Sequence, residues 1–356
     1  MKSRVEDVTY MRRALSLAMR GTGYTSPNPM VGCVIARDGE ILGEGYHRRC
    51  GALHAEREAL MSAAEGVAGA TAYVTLEPCS HHGKTPPCAP ALVEAGIARC
   101  VVATVDPDPR VSGRGIEILR SAGVDVSVGV LEEECRWLNR GFIKGALAGL
   151  PWVTVKAAIS LDGDMSLPDG KSKWITNGTS RVKAHLLRSE SDAVMVGRGT
   201  VTADDPALTV RDAPGRSPIP VVIGGVDENR RVFLDDRCII YTKRFAGLKG
   251  ERVIPEKNGQ VDLETVLRDL YGSGVRRLLV EGGGRIISSL LNDGLVDEVS
   301  LFVAPKIMGQ GQTMTPGMIL SSMEESMNLS LISCRGQDGD LWLEGVFPCS
   351  RDLLKR

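Results

Sequence analysis

The chain has 356 residues, enough for two domains that each bury a core of their own. Its net charge of −1 and pI near 6.6 exclude the strongly basic footprint of a nucleic-acid binder. No apolar run reaches membrane-spanning length, the N-terminus shows no signal-peptide pattern, and nine cysteines in a chain of this size suit a reducing compartment. The expectation is a cytoplasmic protein with no membrane or nucleic-acid partner.

The first half alternates helix and strand patterns. Residues 10–19 put Met11, Leu15 and Ala18 on one face and read as a helix. Residues 30–36 and 40–45 read as a strand pair turning at Asp38-Gly39. The stretch 54–64, rich in Ala, Leu, Glu and Arg, reads as a helix with His54 and Glu56 in its first turn. The apolar run 71–76 reads as a strand that ends at Glu77-Pro78-Cys79. A helix near 89–95, a strand over 99–104, a loop at Asp106-Pro107-Asp108-Pro109-Arg110, a helix over 115–122 and a strand over 124–128 follow. Residues 132–150 read as a short helical connector.

Four of the five histidines fall between His47 and His82, interleaved with Cys79 and Cys88. His54-Ala55-Glu56 followed by Pro78-Cys79 and Cys88 is the ligand set of the zinc deaminases, whose signature is H-x-E…P-C-x-x-C. One imidazole (His54) and two thiolates (Cys79, Cys88) hold Zn²⁺ and leave a fourth position for water. The metal lowers the pKa of that water to roughly 7, and Glu56 takes its proton and returns it to a leaving amine. Two blander readings stand beside this one. Cys50 could close the site as a fourth, structural ligand, or the Cys/His cluster could be coincidental. Here the second cysteine follows the first after eight intervening residues instead of two.

Ser26-Pro27-Asn28-Pro29-Met30-Val31-Gly32-Cys33, His54-Ala55-Glu56 and the run Pro78 to Cys88 together resemble the deaminase domain of the RibD family of bifunctional riboflavin-biosynthesis proteins. In that family the long insert between the cysteines is normal and contributes substrate contacts. By that resemblance Asn28, His47, Ala55, His81 and Lys84 contact the pyrimidine or its ribose phosphate. Read without it, Asn28 is a turn residue between prolines and Lys84 a solvated loop charge.

Pro151 opens a second alternating pattern. Residues 152–159 are β-rich and turn out at Ser160-Leu161-Asp162-Gly163. A helix over 179–189, strands over 193–196, 219–223 and 238–242, a helix over 261–271 and a strand over 277–280 follow. That last strand runs into Glu281-Gly282-Gly283-Gly284-Arg285 and a helix over 286–292, the form of a phosphate cradle. The N–H groups of Gly283 and Gly284 are expected against a pyrophosphate, where a Cβ would intrude. A tight turn without a ligand is the alternative.

Val155 to Gly163, Lys171 to Thr176, Gly197 to Pro206 and Glu281 to Gly284 resemble the reductase domain of the same family, which is similar to dihydrofolate reductase in fold and uses NADPH. The resemblance implies cofactor contacts at Ala158, Trp174, Thr200, Asp204, Thr242, Gly283, Gly284, Arg285, Ile286, Ile287, Ser288 and Ser289. It implies substrate contacts at Ser172, Arg188, Leu208, Arg211 and Glu281. The two arginines suit a ribose 5′-phosphate as bidentate clamps, and ordinary solvated charge is their other reading. Lys156 either protonates or positions the opening sugar, or is a buried structural lysine.

The whole reads as an α/β chain: a cytidine-deaminase-like α/β/α domain over 1–147, then a dihydrofolate-reductase-like α/β domain over 148–356. The expected activity is zinc-dependent deamination of a phosphoribosylamino diaminopyrimidinone, then NADPH-dependent reduction of its ribosyl arm. The expected cofactors are Zn²⁺ and NADPH, the partner is a small-molecule phosphoribosyl pyrimidine, and the assembly is a homo-oligomer (dimer or tetramer). Two other classes remain. One is a nucleic-acid or free-base zinc deaminase with an appended cofactor-binding domain, disfavoured by the charge and the long insert. The other is a scaffold with a relic metal site, disfavoured by Glu56.

Overall fold

The computed structural model describes residues 2–64, 66–80, 86–109, 111–257 and 259–355. The chain divides into two compact units, Met1–Ala148 and Gly149–Arg356. Among the described residues no helix is long and apolar enough to cross a membrane.

The first unit holds α1 (Lys2–Met19), β1 (Gly32–Arg37), β2 (Glu40–Tyr46), α2 (Ala55–Ser62), β3 (Thr71–Val74), α3 (Cys88–Glu94), β4 (Arg99–Val102), α4 (Arg114–Ser121), β5 (Asp125–Val128), α5 (Glu132–Leu138) and α6 (Arg140–Ala148). Its five-stranded sheet runs β2-β1-β3-β4-β5, with β1 antiparallel to both β2 and β3 and the β3, β4, β5 run parallel. Asp38 and Gly39 both take positive φ, as a two-residue hairpin turn requires.

Alternate side chains of β1 serve opposite faces of the sheet. Val34 and Ala36 pack with Met11, Ala14 and Leu17 of α1 and with Cys135 of α5. Cys33 and Ile35 pack with Ala55 and Ala59 of α2, Leu92 of α3 and Leu119 of α4. The unit is therefore an α/β/α sandwich, in which each fully buried aliphatic side chain contributes about 1.5–3 kcal/mol. Residues 132–148 are two helices of this unit, not a connector outside it. Gly45 sets how closely α2 lies on β2: a Cβ there would meet the Ala55 carbonyl oxygen at 2.3 Å and the Ala59 nitrogen at 2.4 Å. This close approach fixes the start of α2, where His54 and Glu56 sit.

The second unit holds β6 (Trp152–Ile159), β7 (Asp164–Ser166), α7 (Gly178–Ser189), β8 (Ala193–Gly197), α8 (Arg198–Asp204), β9 (Ile219–Ile223), β10 (Ile239–Thr242), β11 (Glu251–Val253), β12 (Glu256–Lys257), β13 (Gln260–Val261) and α9 (Leu263–Gly272). It continues through β14 (Arg277–Val280), α10 (Gly284–Asn292), β15 (Glu298–Val303), β16 (Gln312–Thr313), β17 (Ser330–Gln337), β18 (Asp340–Val346) and α11 (Pro348–Leu353). Nine strands form one sheet in the order β11-β10-β9-β8-β14-β6-β15-β18-β17. The seven from β11 to β15 are parallel, and β18 and β17 add an antiparallel flank.

Strands buried on both faces read as continuous apolar runs, as β8 and β10 do. Met195 and Val280 face the cluster built by α9 and α10, while Val194 and Leu279 face the cluster around Val201 and Leu208. Helices thus cover both faces, and the carboxyl ends of the parallel strands are left to form a crevice, the usual ligand position in such sheets.

Candidate active sites

In the first unit, His54 is the N-cap residue of α2, Cys79 follows the end of β3, and Cys88 opens α3. Their ligand atoms all lie within 4.8 Å of one another. His54 Nδ1 stands 3.5 Å from each sulfur. A tetrahedral Zn²⁺ site with Zn–S of about 2.3 Å and Zn–N of about 2.0–2.1 Å has an N···S edge of about 3.6 Å, so the spacing fits the ion. The donor chemistry fits too. The Cys88 thiol donates to the Cys79 sulfur, which helps hold Cys79 down to about 4, while that same bond and burial push Cys88 up. Two sulfurs this close share one proton, and a dication relieves them of it. Among the described residues Cys50 is not part of the group.

Cys79 is further set by the chain that follows it. The Cys88 N–H donates to its sulfur at 3.3 Å, and the N–H groups of Cys88 and Ala89 donate to its carbonyl oxygen. Glu56, in the first turn of α2, is 3 % exposed. Burial and then the negative charge of Cys79 push its carboxyl up to about 7. That is the range in which one group can both accept and return a proton at neutral pH.

Asn28 and His47 come together: Asn28 Nδ2 lies 3.1 Å from His47 Nε2, and His47 Nδ1 lies 3.0 Å from the Leu53 carbonyl oxygen. A carbonyl only accepts, so Nδ1 carries the hydrogen and Nε2 accepts from the Asn28 amide. Burial holds His47 below its ordinary pKa, consistent with the neutral ring. Ala55 is buried at the start of α2. His81 and Lys84 lie outside the described residues. Sequence reasoning passed over Glu77. Its buried carboxylate accepts the backbone N–H groups of Asp106, Gly113, Gly115 and Ile116, tying the Pro78-Cys79 turn to the start of α4. Only its place beside Pro-Cys marks it in the sequence.

In the second unit a cavity of about 1880 Å³ opens at the carboxyl ends of the parallel strands. Lys156, Ala158, Ser172, Trp174, Arg188, Thr200, Asp204, Leu208, Arg211, Thr242, Glu281 and Gly283 to Ile286 all line it. Ile287, Ser288 and Ser289 are placed differently. The Ile287 side chain is in the core, and the two serine hydroxyls donate back to the Gly284 and Arg285 carbonyls of their own helix. Ten Lys and Arg residues and three acidic residues line the cavity, so it favours a multiply charged anion although the chain as a whole is near neutral.

The glycine turn differs from its expected form in two ways. The Gly283 N–H is not free for a phosphate but donates to Thr200 Oγ1 at 3.0 Å. What a Cβ on Gly284 would strike is the protein itself, Pro316 Cδ at 2.5 Å. Arg188 also departs from the clamp expectation. Its Nε and Nη2 bind both oxygens of Glu281 at 2.5 and 2.8 Å, and Nη1 donates to the Thr209 carbonyl. Burial would raise the Glu281 carboxyl, yet the Arg188 charge and hydrogen bonds, with Lys156, bring it below its ordinary value. Lys156 is lowered by burial, which outweighs the attraction of Glu281. Thr242 donates to Glu251, whose carboxylate also accepts the Ala246, Gly247 and Leu248 N–H groups. Asp204 pairs loosely with Lys173 at 3.8 Å.

Comparison with known proteins matches each of the two units to a known family. Residues 4–104 match the cytidine and deoxycytidylate deaminase zinc-binding region, and residues 151–343 match the RibD C-terminal domain. The chain is 44% identical over 335 residues to riboflavin biosynthesis protein RibD of Aquifex aeolicus, covering 91% of this chain and 93% of that one. With the Escherichia coli protein of the same name it shares 43% over 342 residues, 88% of this chain and 92% of that one. The solved structure of Acinetobacter baumannii RibD superposes with a TM-score of 0.90 at 36% identity, over 97% of this chain and 99% of that one. A Thermotoga maritima structure, described as a diaminohydroxyphosphoribosylaminopyrimidine deaminase/5-amino-6-(5-phosphoribosylamino)uracil reductase, gives 0.87 at 38% identity over 97% and 99%. Matched in both halves and along nearly its whole length, the chain belongs to the RibD family, the bifunctional deaminase/reductase enzymes of riboflavin biosynthesis.

Proposed function

We propose that the first unit hydrolyses the 2-amino group of 2,5-diamino-6-(5-phosphoribosylamino)pyrimidin-4(3H)-one, and that the second reduces the ribosyl arm of the product to ribityl with NADPH. The observation that carries the first step is the group His54, Cys79 and Cys88 with a buried carboxyl, Glu56, against it. Bound Zn²⁺ supplies a water that loses its proton near pH 7. Glu56 receives that proton and delivers it to the departing amine, so that ammonia leaves as the ring carbon gains oxygen. Asn28, its amide turned by His47, orients the pyrimidine. His81 and Lys84 act with it on the ribose phosphate arm.

The cationic cavity supports the second step, since NADPH and the substrate phosphate are both polyanions. NADPH supplies a hydride to ribose C1′. Trp174, Ala158, Thr200 and the start of α10 hold the cofactor, and Arg211 meets the substrate phosphate. Arg188 acts through Glu281, which it holds in place. Lys156, made more acidic by burial, protonates the sugar ring oxygen as the ring opens.

The test is incubation of the full chain with the diaminopyrimidinone phosphate, with and without NADPH, reading products by mass. Ammonia and a product with NH exchanged for O are expected without NADPH, and a product carrying two further hydrogens with it. Reduction in the absence of any deaminated product would overturn this order of steps. Deamination of cytidine or of a nucleic acid in its place would overturn the substrate.

A further inference from the structure

We infer that Asn139, between α5 and α6, is a positioning residue for the deamination, acting by fixing the turn that presents Asn28. Asn139 is 2 % exposed and lies 35 residues beyond the end of the zinc-binding-region match at 104. Its Oδ1 accepts the Met30 N–H at 2.8 Å and its Nδ2 donates to the Met30 carbonyl, also at 2.8 Å. One side-chain amide thus satisfies both polar groups of a buried backbone unit, as a neighbouring strand would. Met30 stands two residues after Asn28, with only Pro29 between them.

From there the connections run into the metal centre. Asn28 Nδ2 donates to His47 Nε2, and His47 Nδ1 donates to the carbonyl of Leu53, the residue before the ligand His54. The other end of the chain of contacts is equally fixed. Cys135 of α5 is buried in the sheet's core, and Arg136 Nη1 donates to Thr104 Oγ1. The Thr104 carbonyl in turn accepts the Glu77 N–H, two residues before Cys79. The segment that reads as a connector in the sequence therefore braces both the Asn28 turn and the Cys79 turn. Asn139 does the first with a side-chain amide bonded to the Met30 backbone and outside the metal-ligand group.

This rests on the proposed contact between Asn28 and the pyrimidine, so the experiment carries a control for that reading. Steady-state ammonia release from the diaminopyrimidinone phosphate is measured on the full-length, zinc-loaded chain and on Asn28→Ala, Asn139→Leu and Asn139→Asp. Zinc per chain is determined for each. Asn139→Leu is expected to keep its zinc, to raise KM by about tenfold, and to change kcat less, since a misplaced orienting group weakens binding before it alters proton transfer. Asn139→Asp keeps the acceptor for the Met30 N–H and loses the donor, so a smaller rise is expected.

Zinc loss in step with activity in Asn139→Leu, or an unchanged KM there while Asn28→Ala raises it, overturns the inference. If Asn139→Leu does not fold, a zinc-loaded Asn139→Asp with the parental KM overturns it equally. If Asn28→Ala leaves KM unchanged, the contact assigned to Asn28 fails, and a rise in Asn139→Leu beside it overturns the route through Asn28 as well.

Discussion

The two units recognise their chemistry in opposite ways. In the first, three ligand atoms and one buried carboxyl gather at the starts of α2 and α3 and at the end of β3. In the second, the lining of a 1880 Å³ cavity is drawn from positions between Lys156 and Pro316. A compact metal centre depends on fixed atom-to-atom distances, so one altered ligand removes the function outright. A wide cationic cavity spreads binding over many partial contacts, so a single change leaves a measurable remainder. The contrast can be broken from either side.

The largest effect is expected at Cys88. A serine hydroxyl is a poor substitute for a thiolate toward Zn²⁺, so Cys88→Ser should lose metal and deamination together. A chelator should do the same to the parental chain. Reduction of an already deaminated substrate should continue in both, because the cavity shares no ligand with the metal centre. Retention of stoichiometric zinc and activity in Cys88→Ser would place the metal elsewhere.

Next comes Glu56→Gln. Glu56 is not a member of the three-atom ligand group, so zinc should remain while ammonia release falls by about 10²–10⁴-fold. Zinc analysis beside the rate decides the matter: a variant that loses its metal makes Glu56 a structural group rather than a proton carrier.

Arg188→Met tests the second unit. It leaves Glu281 buried without its bidentate partner, at a cost of about 3–5 kcal/mol. In the parental chain the Glu281 carboxyl lies below its ordinary value. It therefore contributes stability that is present above the unfolded-state pKa of about 4.3 and is lost as pH falls through the lower folded value. In the variant the Arg188 charge and hydrogen bonds are gone, burial is opposed only by the smaller attractions of Lys156 and His185, and the folded pKa is expected to rise. The sign then reverses, and this contribution declines as pH rises above about 4.3. Thermal unfolding from pH 3 to 7 reads the change in slope. Arg188→Met combined with Glu281→Gln should remove it, whereas an arginine whose role is only to meet phosphate would show no such reversal.

How much of this was legible in the sequence follows the same divide. The zinc ligands and Glu56 lie within 35 residues of one another in short motifs, and the strand and helix patterns around them are regular. The glycine turn after β14 was legible as a turn. Its partners were not, because Thr200 and Pro316 approach it from distant parts of the chain. Arg188 and Glu281 are 93 residues apart, so their pairing has no local signal.

The missed elements have physical reasons too. β15 lies inside the sheet yet carries Glu298 and Ser300, buried polar groups that break an apolar run. Both are satisfied by indole N–H donors, from Trp152 and Trp342. β17 is an edge strand with little burial and no clean alternation. α8 contains a glycine and two threonines, weak helix formers, and reads as a loop. In α5 and α6 the helical pattern was visible, but not that Cys135 and Asn139 belong to the first unit's interior.

The smallest expected effect is at Cys50, and it bears directly on what kind of metal centre this is. A closed four-ligand site would be structural, with no position left for water and no use for Glu56. Cys50 is four residues from His54 in sequence, and its backbone N–H bonds to the Tyr24 carbonyl at 3.4 Å. The ligand group nonetheless comprises His54, Cys79 and Cys88 without it. Cys50→Ser should therefore leave zinc content, ammonia release and reduction at parental levels. Measured beside Cys88→Ser under identical metal loading, it separates a ligand from a nearby thiol. Zinc loss in Cys50→Ser would close the coordination sphere, and the buried carboxyl of Glu56 would then need another explanation.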